Sequence, residues 1–341
     1  TRLDSILADP KLTLTDRNLF SAARTQVASD LGELARFSLR QAACGGPGEY
    51  CVGDEWARND GNLAPHRGGW VGLGADARAI VDRLPLGPRI ALSRSSLLPP
   101  EIRLDIALTS FARAVQLRED RSASESARDL AALMPQMRKD WQSIASAPPG
   151  PGSRFAQYFA MAKLPGLRVD LIPHDYTRPV GTVREFQGRW TDWMLVERTP
   201  GTRTGKFPEP HFYQSGYWYD STGGLSDLTC LGKCGRSAFP LHLPAFVASA
   251  QPEAASERAG FRSFGQEEPV PAGAVSLWDE ALAYVAAHPR DPRSPEMLHR
   301  LIRVARWGAN HDRLGRRAFQ LLHSRYPGSA WAKRSPYYYD D

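Results

Sequence analysis

The chain has 341 residues, of which 42% are hydrophobic and 23% are charged, and its formal net charge is +6. This composition excludes wholesale disorder and predicts one large or two ordinary folded domains. No apolar run approaches the roughly 18 residues that a membrane-spanning helix needs, so we expect no membrane span. The sequence starts at Thr1 without an apolar leader, and we expect a mature or processed form.

The positive charge comes from arginine more than from lysine. A basic chain suggests nucleic acid or an anionic surface as a partner. Here the arginines are scattered along predicted helices, and no nucleic-acid-binding motif accompanies them. We interpret them as solvated helix surface and expect no nucleic-acid partner.

Residues 1–166 predict a helical N-terminal region. Residues 15–43 carry Val27, Leu31, Leu34 and Ser38 at helical spacing, which predicts one long helix. Residues 45–73 are rich in Gly, Pro, Asn and Asp, and they predict an irregular loop excursion. Further helices are expected at 76–84, 86–93, 99–118, 122–133, 135–145 and 154–163.

The predicted helix 99–118 has a clear apolar face. Its members are Leu104, Leu108, Phe111 and Val115. Arg103, Arg113 and Arg118 lie off this face, and we expect them at the surface.

Residues 167–243 differ in character from the segments on either side. Prolines and glycines interrupt them, aromatic residues are dense, and helical periodicity is poor. We predict a loop-rich insertion with long loops and room for a few short β-strands.

Residues 244–341 return to helical patterns. Ser276 with Asp279 three residues later is typical of a capping box that opens a helix ending at His288. Ser294 is expected to cap the next helix, with Pro295 at its first position. A third helix is predicted at about 313–324, and a fourth near Ser329.

Antiparallel helices of this length, joined by short turns, are typical of an irregular α-solenoid made of tetratricopeptide-like hairpins. The fold class is therefore predicted as mainly α. A non-repetitive helical bundle is the alternative, because no strict 34-residue period is present.

The four cysteines form two close pairs, Cys44 with Cys51 and Cys230 with Cys234. An even number in tight pairs predicts two local disulfides in an oxidising compartment. A four-thiolate zinc site is the alternative, but the spacing of the first pair does not suit zinc. Cross-pairing, such as Cys44 with Cys230, stays open at this point.

Two stretches of sequence resemble known proteins. They are residues 84–117, with Leu97-Leu98-Pro99-Pro100-Glu101-Ile102, and residues 287–333, with His288-Pro289-Arg290-Asp291-Pro292-Arg293 and Arg325-Tyr326-Pro327-Gly328-Ser329. They resemble segments of uncharacterised, exported, tetratricopeptide-like proteins of Gram-negative bacteria, over about a third of the chain. The resemblance implies a helical-repeat fold and a periplasmic or outer-membrane-associated location, and it implies no catalytic residues.

Several motifs are typical of catalytic or cofactor-binding sites, but the other residues or elements that such sites need are absent from the sequence pattern. Residues 72–77, Gly-Leu-Gly-Ala-Asp-Ala, match part of a dinucleotide-binding fingerprint, but we expect no buried strand before them. Glu125-Ser126 is similar to the catalytic pair of lytic transglycosylases, although the other motifs of those enzymes are absent. His288, His299 and His323 lie at or near predicted helix C-termini, which favour a cation. We predict no metal site and no cofactor.

The aromatic run 207–219 is the strongest candidate for binding. Tyr and Trp offer large contact areas at low entropic cost and are enriched at binding hot spots. The candidate binding residues are His211, Tyr213, Tyr217, Trp218 and Tyr219. The alternative is that these rings close a small core where the insertion docks on the helices.

The sequence therefore predicts a non-catalytic scaffold or adaptor that binds protein partners. A glycan- or peptidoglycan-binding or -active protein, with its site in residues 167–243, is the first alternative. It would need acidic side chains such as Asp175, Glu185, Asp192 or Glu197 to converge. A structural subunit of a larger envelope complex is the second.

Overall fold

The structure, a computed structural model, describes residues 2–42, 64–66, 69–73, 77, 80–81, 84–116, 118–163, 242–250, 277–304 and 313–338. This part of the chain is mainly helical. The helices before residue 164 are α1 (Arg2–Leu7), α2 (Leu14–Gln26), α3 (Leu31–Phe37), α4 (Leu86–Ser93), α5 (Pro100–Gln116), α6 (Asp120–Leu133), α7 (Arg138–Ser146) and α8 (Pro151–Lys163). After it come α9 (Ala245–Ala248), α10 (Leu277–Ala287), α11 (Ser294–Val304), α12 (Leu314–Arg325) and α13 (Ala330–Arg334).

The prediction of one long helix over residues 15–43 is wrong, because α2 ends at Gln26 and α3 begins at Leu31. The Asp30 carboxylate accepts a hydrogen bond from the Glu33 amide at 2.8 Å and so caps α3. Val27, placed on the predicted apolar stripe, is 58% exposed. After α3, residues 39–42 form a strand.

Three short strands form an antiparallel sheet in the order β1-β3-β2. They are β1 (Leu39–Ala42), β2 (Ala64–His66) and β3 (Gly69–Leu73). Leu39 pairs with Leu73, and Ala64 pairs with Val71. Residues 64–66 and 69–73 are therefore not irregular as predicted; the rest of the excursion lies outside the described residues.

The apolar core has two clusters, and α5 contributes to both. The N-terminal cluster gathers Leu34, Ile80, Leu84 and other side chains from residues 28–106, with Ile102 and Ile106 from α5. The central cluster extends from α4 to α13 and contains the predicted face of α5, all four members of which are buried.

Two buried arginines lie near the junction of these clusters. Arg113 is 1% exposed, so its predicted surface position is wrong. Its guanidinium donates to the Leu84 carbonyl at 2.7 Å. Arg89 donates to the Val81 carbonyl and to the Thr109 hydroxyl. Arg113 thus provides a donor for the buried Leu84 carbonyl, and Arg89 adds a second donor to the Val81 carbonyl, which also accepts from the Leu84 amide at 3.1 Å.

The C-terminal helices follow the prediction closely. Trp278, Ala281, Leu282 and Val285 of α10 are buried, as are Leu298, Leu301 and Ile302 of α11 and Leu314, Ala318 and Leu322 of α12. Leu321 also belongs to the apolar pattern of α12, but it is only partly buried. Ser329 caps α13 by accepting from the Ala332 amide at 3.0 Å. Ser294 is itself the first residue of α11, so this helix begins one residue earlier than predicted. Ser276 lies outside the described residues.

Residues 242–250 lie on the N-terminal cluster. Val247 of α9 is buried there, and the His242 amide donates to Gln26 Oε1 at 3.0 Å. The predicted region boundaries at 166 and 243 stay predictions. No helix among the described residues is long and apolar enough to cross a membrane.

Candidate functional site

Arg118, Tyr158 and Glu280 form a polar cluster, which we call the Glu280 cluster. Arg118 follows α5 in a left-handed conformation with φ of 59°. Its amide donates to the Val115 carbonyl and the next amide, of Glu119, donates to the Ala114 carbonyl. These two bonds are the Schellman motif, in which glycine usually occupies the position of Arg118.

The Glu280 carboxylate, in the first turn of α10, binds donors on both of its oxygens. Arg118 donates from Nε at 2.9 Å and from Nη2 at 2.5 Å to Oε1. The Tyr158 hydroxyl, on α8, donates to Oε2. Burial, and then the bond to this carboxylate, raises the pKa of Tyr158, which therefore stays a neutral donor. The cluster ties α8, α10 and the α5–α6 turn together.

An aromatic stack lies on the same pair of helices. Tyr284 of α10 stacks on Phe155 of α8 with ring centroids 4.1 Å apart, and His288 stacks on Tyr284 at 4.0 Å. Asp291 fixes the loop after α10 by accepting from the Arg293 amide, Nε and Nη2. Burial opposes ionisation of Asp291, but these bonds hold its pKa below the ordinary value.

The C-terminal residues are held by two histidines. His299 Nδ1 lies 2.6 Å from the Ser335 hydroxyl oxygen, and His323 Nε2 donates to the Ser335 carbonyl at 2.7 Å. His299 is 2% exposed and Ser335 is 4% exposed, so a substrate cannot reach this serine–histidine pair. His299 also lies in the middle of α11 rather than near its C-terminus as predicted.

The tyrosines at positions 337 and 338 differ in their surroundings: Tyr338 is packed and Tyr337 is exposed. Tyr338 packs against Phe319, with ring centroids 5.0 Å apart, and lies over the Arg316 guanidinium. Tyr337 is 59% exposed. Tyr339 lies outside the described residues.

A buried arginine joins the first three helices. Arg24, 4% exposed, binds Asp4 at 2.8 Å and also binds Glu33. Hydrogen bonds from Arg24 and then from the Ser29 amide and hydroxyl lower the pKa of Glu33 to about 2. The α1–α3 unit is thus held together partly by polar contacts.

The apolar side chains of α1 and α2 are incompletely covered. None of the leucine, isoleucine, phenylalanine or valine side chains between residues 2 and 31 is buried; they are Leu3, Ile6, Leu7, Leu12, Leu14, Leu19, Phe20, Val27 and Leu31. On α2, the buried positions are instead Asn18, Ala22, Arg24, Thr25 and Gln26. Leu19, Phe20, Ala23 and Val27 lie on an adjacent stripe of the same helix, which we call the α2 apolar stripe. Val27 is exposed and the other three are partly buried, so the stripe is a candidate interaction surface.

The residues predicted to bind lie outside the described part of the chain. This applies to His211, Tyr213, Tyr217, Trp218 and Tyr219, to the acidic residues of the glycan alternative, and to Cys44, Cys51, Cys230 and Cys234. Their roles and pairing stay predictions. Among the described residues, no group of three or more His, Cys, Asp or Glu side chains could hold a metal ion.

The structure shows the surroundings of two motifs noted in the sequence, the Glu125-Ser126 pair and the glycine motif at residues 72–77. Glu125 pairs with Arg121, whose side chain is 90% exposed, and Ser126 is buried, so this pair does not form a reactive site. Strand β3 ends at Leu73 inside the glycine motif, where we expected no buried strand. Both of its neighbours are antiparallel, whereas a dinucleotide site requires a parallel β-α-β unit.

Sequence reasoning missed the Glu280 cluster and the α2 apolar stripe. Arg118 falls at the predicted end of a helix, but no local pattern identifies a carboxylate far along the chain as its partner. The helical spacing of apolar residues such as Val27 was visible in the sequence, but we interpreted it as a face directed towards the core. No family model matches the chain, and no significant match was found among curated proteins or solved structures.

Proposed function

We propose that this chain is a non-catalytic scaffold or adaptor that binds protein partners in the periplasm or at the outer membrane of a Gram-negative bacterium. The observation that carries the proposal is the incomplete burial of the apolar side chains of α1 and α2. By contrast, the apolar residues Ile102, Leu104, Ile106 and Leu108 of α5 are all buried. The N-terminal helices thus have apolar surface available for a partner.

The size of this surface supports a protein partner. Full burial of a leucine or valine side chain contributes about 1.5–3 kcal/mol, and a partly buried side chain leaves only a fraction of this to be gained on docking. Adjacent side chains of this kind can form the apolar centre of a protein interface, and further contacts around them must offset the cost of association. Leu97, which is 47% exposed, is by contrast an isolated apolar residue of the ordinary kind.

The packing of the helices supports a scaffold. Helices that follow one another in the chain pack together, as α4 to α7 do and as α10 to α13 do. This order is typical of hairpin stacks, and we propose a tetratricopeptide-like α-solenoid on this basis and on the resemblance of residues 84–117 and 287–333. The oxidising compartment rests on the paired cysteines.

The acidic side chains of the C-terminal helices favour a non-catalytic role. Asp279 pairs with Arg317, Glu280 with Arg118, Asp291 with Arg293, and Glu296 with Arg300. Carboxylates held in this way stabilise the fold and are poorly placed to act as a general acid or base.

The test is an affinity pull-down from envelope extract with Val27→Asp and Leu97→Asp as a matched pair. Val27 is 58% exposed and Leu97 is 47% exposed, so neither charge should change the thermal unfolding midpoint. We expect a stoichiometric protein partner that the intact chain and Leu97→Asp retain and that Val27→Asp loses.

Other outcomes separate the alternatives. If both variants retain the same partner, the α2 apolar stripe is not the contact. If no protein is recovered but an oligosaccharide or muropeptide binds, the glycan alternative with its site in residues 167–243 replaces the scaffold. Recovery of a fixed set of envelope proteins with the chain would indicate a structural subunit.

A further inference from the structure

We infer that residues 164–276 are inserted into the connection of an antiparallel helical hairpin formed by α8 and α10, and that the helical core assembles across this interruption from two separate chain segments. One segment is residues 84–163, and the other is residues 277–338. The inference goes beyond the proposed function, since it concerns which part of the chain holds the fold together.

The register of α8 and α10 gives the direction of the hairpin. Phe155 stacks on Tyr284, and three residues later along α8 Tyr158 binds Glu280, four residues earlier along α10. The two helices are therefore antiparallel. Continuing this register places Lys163, the last residue of α8, beside the start of α10 at Leu277. The chain thus leaves and returns at the same end of the hairpin.

The contacts between the two segments are those of a domain interior. Trp278 and Val285 of α10 are 1% and 0% exposed and share the central cluster with Phe155 and Tyr158 of α8. Helix α11 adds a second contact, because Arg300 donates to the Ala162 carbonyl at 3.3 Å. Such burial stabilises a non-covalent interface as well as it stabilises a hairpin.

The Glu280 cluster lies close to the point where the chain leaves and returns. Glu280 is in the first turn of α10, and Tyr158 is five residues before the end of α8. The bonds to Arg118 and Tyr158 attach the returning helix to the α5–α6 turn and to α8. The candidate binding residues 211–219 all fall inside the inserted segment. The same segment contains α9, whose Val247 is buried in the N-terminal cluster, so its last part contributes to that cluster.

The experiment retains every residue of the chain and removes one peptide bond. Residues 1–205 and 206–341 are produced together as two polypeptides and purified through a tag on one of them. A reducing buffer prevents any cross-linking disulfide, such as Cys44 with Cys230, from joining them. We expect a 1:1 complex with the helical circular dichroism signal of the intact chain.

Variants of the split protein show which residues hold the halves together. Glu280→Gln removes the charge that binds Arg118, and Tyr284→Ala removes the ring stacked on Phe155; we expect each to raise the Kd of the two halves about tenfold. Glu125→Gln is the matched control, since its carboxylate pairs with an exposed arginine, and it should leave the Kd unchanged.

Two results would overturn the inference. The first is failure of the halves to associate. The second is association that Glu280→Gln and Tyr284→Ala weaken no more than Glu125→Gln does, because residues 164–276 would then be what joins the halves. Neither result bears on the α2 apolar stripe, so the scaffold proposal stands or falls separately.

Discussion

The polar residues of the core show what residue-level sequence reasoning can and cannot give. Leu104, Leu108 and Phe111 are buried as predicted, because apolar side chains at helical spacing must face the interior. Arg113 is buried as well, although we expected it at the surface, and His299, which we expected near the end of its helix, is buried too. Their burial depends on acceptors elsewhere in the chain, at Leu84 and Ser335, which periodicity does not identify.

Glu33 is a residue whose ionisation contributes to stability. Its pKa falls from the ordinary value of 4.5 to about 2, first because Arg24 binds it and then because Ser29 does. Since the folded-state pKa is the lower one, the contribution is fully present above about pH 4.5 and is lost as the pH falls towards 2.

We predict that Glu33→Gln lowers the thermal unfolding midpoint at pH 6 and that the difference from the unsubstituted chain disappears near pH 2. The midpoint is measured for both proteins across this range. Glu125→Gln serves as the control, because the arginine that it pairs with is 90% exposed. A midpoint difference that stays constant down to pH 2 would contradict the role of the Glu33 charge.

Elements were predictable where their signals are local. The bounds of α4 agree with the predicted helix 86–93, and α5, α6 and α8 differ from their predictions by a few residues. Prolines lie within one or two positions of several of these ends, at Pro85, Pro99, Pro135, Pro151 and Pro165. Neither α4 nor α6 has a side-chain cap at its start. The prediction for 15–43 was wrong because an Asp30 cap competes with a continuous apolar pattern, and the cap prevails.

The end of α5 is a helix terminus that uses an unusual residue. Arg118 adopts φ of 59°, which costs a residue with a side chain about 1 kcal/mol more than glycine. Its guanidinium offsets this cost by binding Glu280, with side-chain exposures of 33% and 26% for the two residues. The backbone cost and the ion pair can be separated by substitution.

We predict that Arg118→Ala and Arg118→Gly both lower the free energy of unfolding, and that the glycine variant is about 1 kcal/mol more stable than the alanine variant. Urea denaturation of the two variants measures this difference. In a Glu280→Gln background the difference in the free energy of unfolding between Arg118→Ala and Arg118→Gly should persist. The decrease in the free energy of unfolding caused by Arg118→Ala should become smaller, because the ion pair is already lost. Equal stability of the two variants would exclude backbone strain at this position.

At the scale of the whole molecule, the sequence predicted a mainly α protein but not how its parts meet. The contact of α8 with α10 joins residues more than a hundred positions apart, and no short-range pattern encodes it. The short sheet was missed for a similar reason, since residues 69–73 form its central strand by pairing with residues 39–42 as well as with residues 64–66. Uncovered apolar side chains on α2 were assigned to a core because periodicity shows a face without showing what covers it.

A pair of tryptophan substitutions tests whether stability and binding are separable in the whole chain. Trp141 is fully buried and meets Phe111 edge to face with centroids 5.0 Å apart. We predict that Trp141→Ala lowers the free energy of unfolding by about 3–5 kcal/mol. Trp218→Ala should leave it unchanged while weakening partner or ligand capture.

Chemical denaturation and the pull-down assay, applied to both variants, check this prediction. An equal loss of stability in Trp218→Ala would show that the aromatic run 207–219 closes a core rather than forming a binding surface. Unchanged capture by Trp218→Ala, with unchanged stability, would remove this residue from the candidate site.

The antiparallel arrangement of α8 and α10 also determines the order in which the chain folds. Helices α4 to α7 make mainly local contacts and can form as soon as they are synthesised, whereas α8 packs mainly on α10 and α11. The face of α8 that carries Phe155 and Tyr158 must then wait for residues 277–338. Because a long connection loses more chain entropy when its ends meet, closing it costs on the order of 3 kcal/mol more free energy than closing a short turn. During biosynthesis, docking of α10 on α8 is therefore the late step, and α8 is the surface that a chaperone would need to shield until then.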